Sequence, residues 1–150
     1  MPETTCGTRD AQPTLRLWFY LHTLDLEIQA ELGPSITEST DLSLPEFEIL
    51  LKLFDAPDNR LRMSALAHSA ALSRSRLTHM VNRLEDRGFV TRFTCDSDRR
   101  GVHCRLTENG AQVVEEFAPQ HQEEVHRQLQ KPEIQEQLRQ MQKLIGEILS

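Results

Sequence analysis

The sequence predicts a mainly α-helical chain with one small β-hairpin. Three observations carry this. Most of the chain repeats apolar residues every three to four positions, the helical period. One short stretch, 89–106, holds two β-prone runs around a polar, charged centre. Helix-start and helix-stop residues, Ser43, Ser73, Gly88 and Thr107, punctuate the intervals between them.

Residues 1–12 are polar and read as a disordered tail, with no basic-then-apolar leader pattern. From Pro13 to about Leu32, apolar residues recur at Leu17, Leu21, Leu24 and Ile28. Leu15, Trp18, Phe19 and Leu26 widen the stripe well past one face, so this helix is expected to be buried on several sides. Gly33-Pro34 reads as its end. Ser43-Leu44-Pro45-Glu46 is a capping box with a proline in the first turn, and opens a helix bearing Phe47, Leu50, Leu51 and Phe54. That helix stops at Ala56-Pro57-Asp58-Asn59. A short extended piece, Arg60 to Met63, leads into a compact helix from about Ser64, with Leu66, Ala67 and Ala70 inward.

Ser73 caps the next helix, whose inner stripe is Leu77, Val81 and Leu84, and Gly88 stands at its C-terminal stop. Phe89 to Phe93 is one expected strand, Cys95 to Gly101 a polar turn, and Val102 to Leu106 a second strand. Thr107 caps a long helix to about Gln130. Pro132 starts the last helix, where Ile134, Leu138, Met141, Ile145 and Ile148 form a heptad-like seam. That seam suits packing on the chain's own core or pairing with a second copy, and the excess of apolar helix at both ends favours pairing.

The order helix, tight turn Ala71-Leu72-Ser73, helix, basic hairpin is a winged helix-turn-helix. Its charge agrees. Residues 60–105 hold ten arginines against four acidic residues, a formal +6, whereas the rest of the chain carries −12. A concentrated basic patch in an acidic chain is the footprint of phosphate contact, although a solvated, salt-bridged helix face has the same composition. A recognition helix offers base edges the side chains of its first turns. Here those are Ser73, Arg74, Ser75 and Arg76, then Thr78, His79 and Asn82 on the same side. Arginine forks onto guanine and asparagine pairs with adenine. Arg83 and Arg87, further along, are read as backbone contacts.

Asp98-Arg99-Arg100, five further residues and then Leu106-Thr107 resemble the D-x-R-x(5)-L-T wing signature of the MarR family of bacterial regulators. The phrase Leu72 to Thr78, continuing to Arg83-Leu84-Glu85-Asp86-Arg87-Gly88-Phe89-Val90, resembles that family's recognition helix running into its wing. The resemblance spans about residues 13–149. It implies one domain over 13–150, with 43–107 as the DNA-binding lobe and 13–42 and 108–150 as dimerisation helices. It implies a homodimer on pseudo-palindromic, double-stranded promoter DNA, usually a repressor released by a small molecule or an oxidant. On this pattern Arg100, at the wing tip, enters the minor groove, where a narrow groove favours arginine. Asp98 braces the wing, and Arg92 and Arg99 touch phosphates. Asp98 and Arg100 also suit a local ion pair that only stiffens the hairpin.

The resemblance places an effector pocket where the dimer helices meet the DNA lobe. Trp18, with His22 one turn on, resembles an aromatic position that some members use for ligand; a packed core aromatic is the alternative. Cys95 and Cys104, on opposite strands of the wing, are candidates for a redox switch if they approach and if a thiol acidifies. Cys95, His103, Cys104, His121 and His126 are zinc-type side chains. Their spacing forms no dense ligand motif, so no metal and no cofactor is expected. A winged-helix protein–protein interaction module without DNA binding is the competing function, and the arginine concentration argues against it.

Composition narrows the rest. At 150 residues the chain is long enough for one domain with a real core. No apolar run approaches the roughly 18 residues of a membrane span, so a cytoplasmic protein without membrane contact is expected. Three scattered cysteines make no disulfide framework. No glycine-rich phosphate loop, zincin motif or nucleophile elbow points to an enzyme.

Overall fold

The computed structural model describes residues 12–150, and all of their side chains except those of Asp98 and Arg99. The expected tail and Cys6 lie outside the described residues. The chain runs α1 (Pro13–Thr40), α2 (Leu44–Asp55), a short 3-10 turn, β1 (Arg60–Arg62), α3 (Met63–Ser69), α4 (Arg74–Asp86), β2 (Val90–Cys95), β3 (Asp98–Leu106), α5 (Glu108–Leu129) and α6 (Pro132–Leu149). The described residues pack as two compact units: residues 12–31 with Glu123–Ser150, and Leu32–Gln122. Helices α1 and α5 contribute to both.

The Leu32–Gln122 unit is the winged helix. Its core is Phe47, Ile49, Leu50 and Leu53 of α2, Leu66 of α3, Leu77, Val81 and Leu84 of α4, and Val90 and Leu106 of the strands, all essentially buried. The Ser43 capping box forms as read: its hydroxyl accepts from the Glu46 amide at 3.3 Å, and the Ser43 amide donates to the Glu46 carboxylate at 3.1 Å.

Helix α1 does not stop at Gly33-Pro34 but continues to Thr40. Pro34 deprives the helix of one amide hydrogen bond, typically a cost of about 3 kcal/mol. Leu32 and Ile36, one turn apart on either side of it, are buried, and each such burial returns about 1.5–3 kcal/mol. Packing therefore outweighs the local stop signal. The helix ends instead at Asp41, whose amide still donates to the Thr37 carbonyl at 2.9 Å and whose left-handed φ of 58° turns the chain out of the helix.

The wing also differs from expectation. Its turn is only Asp96-Ser97, and β3 begins at Asp98, so Asp98 to Gly101 belong to the strand and not to a loop. The register of β2 on β3 shifts between Thr94, which faces Val102, and Cys95, which faces Asp98. Arg99, Arg100 and Gly101 are the extra residues on β3, and such an irregularity re-aims the side chains of the strand that carries it. The extended piece at Arg60–Arg62 pairs with β3 opposite His103–Arg105, which makes a three-stranded sheet in the order β1-β3-β2.

The Leu106-Thr107 end of the wing is fixed by one side chain. The Thr107 hydroxyl donates to the Gly88 carbonyl at 2.6 Å and accepts from the Gly110 amide at 3.1 Å, so it caps α5 and pins it to the end of the recognition helix. Gly110 is obligatory at this crossing: a Cβ there would overlap the Phe89 carbonyl oxygen and crowd Leu106.

The other unit has a small core of Leu24, Ile134 and Met141, flanked by Leu17, Tyr20, Ile28, Leu129 and Leu138. The α6 seam thus divides. Ile134, Leu138 and Met141 pack inside the chain, while Ile145 and Ile148 are exposed. On α1 the expectation of burial on several sides fails within one chain: Trp18 is 60 % exposed and Phe19 58 %, with Leu15, Leu21 and Leu26 also open.

Candidate nucleic-acid interface

Helix α4 is fixed from within by Leu77, Met80, Val81 and Leu84, which leaves its remaining circumference outward. Arg74, Ser75, Arg76, Thr78, His79 and Asn82 are all exposed. Ser73 serves mainly as the N-cap, accepting from the Arg76 amide at 3.2 Å, and the Thr78 hydroxyl donates back to the Arg74 carbonyl at 2.8 Å. The turn before α4 is held by Ala71 at φ 54°, a conformation uncommon for a residue with a Cβ. The turn after it uses Gly88 at φ 78°, where glycine carries no steric penalty.

Arg74 and Thr78 of α4, Arg62 of β1, Arg92 of β2 and Arg100 of β3 line one cleft of about 570 Å³ between the recognition helix and the wing. Four guanidinium-bearing residues from four elements therefore converge on one face. Arg62 was not a predicted site residue. Its place depends on β1 joining the sheet, a long-range pairing that no local pattern announces. Arg100 is exposed on the irregular part of β3, set back from the Asp96-Ser97 tip. The side chains of Asp98 and Arg99 lie outside the described residues.

Three of the arginines read as phosphate anchors, Arg83, Arg87 and Arg92, are engaged within the protein. Arg83 Nη1 lies 3.0 Å from Glu46 Oε1, and Glu46 is only 2 % exposed. Arg87 donates to the carbonyls of Asp41 at 2.7 Å and Thr40 at 3.4 Å, and its guanidinium sits 5.0 Å from the Phe89 ring centre. Arg92 donates to Glu85 from both its side chain and its backbone amide, each at 2.9 Å. The Arg92 side-chain hydrogen bond, with the backbone one, draws the Glu85 carboxyl below its usual range.

The wing cysteines do not form a couple. Cys104 faces Arg92 across the sheet, so Cys95 lies three residues further along, about 10 Å away on a strand. A disulfide needs Cα atoms within roughly 7 Å. Cys104 is buried, and burial pushes its thiol up to about 12, which opposes oxidation. The Cys95 thiol is drawn down by a hydrogen bond from Ser97. Of the zinc-type side chains, His103 stacks on Phe93 and His121 meets the edge of Phe47, both at 5.4 Å. Among the described residues, no three His, Cys, Asp or Glu side chains come together as a metal site.

Trp18 and His22 stack with ring centres 6.1 Å apart, on the surface of the chain and not in its core. They do not line the nearby pocket of about 400 Å³, which is walled by Arg16, Phe19, Tyr20, Thr23 and Gln137.

Comparison with known proteins places this arrangement. The MarR family model matches residues 42–102. The HTH-type transcriptional repressor YetL of Bacillus subtilis is 36% identical over 80 residues, covering 53% of this chain and 48% of that protein. The chain spans about half the length of the curated relatives it matches. Two solved structures extend the likeness to nearly the whole chain. Sco3205 of Streptomyces coelicolor, a MarR family transcriptional regulator in complex with DNA, is 32% identical at TM-score 0.72, covering 91% of this chain and 87% of that one. AbsC of the same organism, also a MarR family transcriptional regulator, is 33% identical at TM-score 0.71, covering 88% and 90%.

Proposed function

This chain belongs to the MarR family, and from that premise we propose that it is a homodimeric, sequence-specific DNA-binding transcriptional regulator, acting as a repressor. The observation that carries the reading is the single face on which Arg62, Arg74, Arg92 and Arg100 meet the exposed polar side of α4. Base reading falls to Arg74, Ser75, Arg76, His79 and Asn82 in the major groove, and Arg100 reaches the minor groove beside it. Arg99 is a phosphate contact, and Arg92, which also lines the cleft, meets phosphate with the guanidinium donors it does not give to Glu85.

Dimerisation is supported by the apolar side chains left open on the other unit. Leu15, Trp18, Phe19 and Leu26 follow helical spacing along α1, and Ile145, Ile148 and Leu149 end α6. Leaving so much aromatic and aliphatic surface in water is costly, and a second copy would bury it. A dimer also supplies the two recognition helices that a palindromic operator needs. We read the chain as a cytoplasmic binding protein and not an enzyme; no helix among the described residues is long and apolar enough to cross a membrane. A small-molecule signal suits the Arg16–Phe19–Tyr20 pocket, whose aromatic walls and guanidinium favour an aromatic anion.

The test is selection of bound duplexes from a random DNA library with the full chain. Enriched sites should carry two half-sites about 10 base pairs apart. Arg100→Ala should weaken binding to the enriched duplex by about tenfold or more, within the range of one lost base or groove contact, while sedimentation still shows a dimer. Failure to enrich any sequence sinks the reading; normal binding by Arg100→Ala sinks the wing assignment.

A further inference from the structure

The C-terminal half of the recognition helix faces two anchors that neither base nor phosphate reading requires. Glu46 is a carboxylate at 2 % exposure in a mainly apolar core. One oxygen closes the capping box of α2 by accepting the Ser43 amide. The other accepts no well-aligned hydrogen bond from the described residues and meets Arg83 as a charge contact at 3.0 Å. A buried carboxylate stripped of its cation is strongly unfavourable, so this pair is not readily exchanged for a contact elsewhere.

One turn further on, Arg87 reaches back to the end of α1. The last carbonyls of a helix have no partner within it, and Arg87 supplies two donors to them, at Thr40 and Asp41. Phe89 supports the guanidinium from one face. Residues 40–46 thus form a short bracket in which the end of α1 and the start of α2 each hold one arginine of α4.

We propose that Arg83 and Arg87 are positioning residues that register the recognition helix against this bracket, and that neither is a phosphate contact. The proposal rests on the DNA-binding reading given above. It also makes residues 40–46 the place where a displacement of the α1 end is passed to the recognition helix, because Arg87 follows the carbonyls it caps.

Salt dependence separates the two roles. Each phosphate contact removed lowers the slope of log affinity against log salt by about 0.9, whereas a lost positioning contact leaves the slope alone. The probes are a duplex selected with the wild-type full chain and a random-sequence duplex of equal length, titrated between about 50 and 200 mM salt. Arg83→Gln and Arg87→Gln should weaken the selected duplex by about tenfold at every salt concentration, as expected for loss of a coupled contact. They should keep the wild-type slope and bind the random duplex as wild type does.

Glu46→Gln guards against variants that merely unfold, since it removes the buried charge and leaves Arg83 in place. If Arg83 positions, Glu46→Gln reproduces the defect of Arg83→Gln, the double variant is no worse than either single one, and Arg83→Lys recovers part of the affinity. If Arg83 touches phosphate, Glu46→Gln frees it, affinity holds or rises, and the slope falls by about one only in Arg83→Gln; that result overturns the proposal for Arg83. The same fall in Arg87→Gln overturns it for Arg87. Should the wild-type chain select no duplex, the DNA-binding reading has failed instead, an outcome distinct from these.

Discussion

The two compact units of this chain solve opposite problems. The Leu32–Gln122 unit closes its own core, with ten or so large aliphatic and aromatic side chains fully buried, and presents arginine and small polar groups outward. The other unit buries few large apolar side chains, Leu24, Ile134, Met141 and Leu144 among them, and leaves Trp18, Phe19 and Leu26 in the open. One unit is a closed fold with a charged outer face, and the other carries an open apolar face. Apolar residues at helical spacing therefore mean different things in the two halves: core in α2 and α4, exposed surface along much of α1 and the end of α6.

Substitutions can break this contrast from either side. The largest effect is expected from Phe47→Ala, which removes a fully buried ring from the winged-helix core. Chemical denaturation should show a loss of about 3–5 kcal/mol. Phe19→Glu attacks the other unit, where the ring is exposed in the single chain. Its secondary structure should hold by circular dichroism while self-association weakens by about a hundredfold or more, because an interface then buries an unpaired carboxylate; sedimentation at a series of concentrations measures it. A chain that stays dimeric with glutamate at 19 would remove α1 from the interface.

Gly110→Ala sharpens the account of the wing. The added methyl meets the Phe89 carbonyl, a backbone group that cannot rotate away, as well as Leu106, so the loss should reach or exceed the upper end of the about 1–3 kcal/mol typical of overpacking. The loss should be read in thermal melts, with the dimer unaffected. The smallest effects concern the wing thiols. Near pH 8, alkylation followed by peptide mapping should label Cys95 in the native protein and Cys104 only after denaturation. The Cys104 thiol is raised to about 12 from 9.0, so the folded state holds its proton more tightly than the unfolded chain. Its stabilising contribution is complete below about pH 9 and declines as pH rises toward 12. Rapid native labelling of Cys104 would show that β3 opens locally.

Much of the interface could be read directly from residue order. Ser43 with Glu46, Ser73, Gly88 and Thr107 all take the capping and turn positions that their chemistry suggests. The outward side of α4 follows from the inward stripe of Leu77, Val81 and Leu84. These are local relations, decided within one or two helical turns. The family likeness was likewise visible in the wing and recognition-helix phrases, because those phrases encode the same local geometry.

What sequence alone determined, then, is the alternation of helices, the winged helix-turn-helix and the concentration of arginine within it. Only the tertiary structure decided how each arginine is used. Arg83, Arg87 and Arg92 carry the same charge as Arg74 and Arg76, yet a buried Glu46, two helix-end carbonyls and Glu85 engage the first three. Arg62 joined the cleft through the pairing of β1 with β3, and α1 ran through Pro34 because Leu32 and Ile36 were buried on either side of it. Periodicity and capping are short-range and can be read along the chain. The partner of a long, charged side chain is set by whatever distant element folds against it, and one-dimensional order carries no record of that distance.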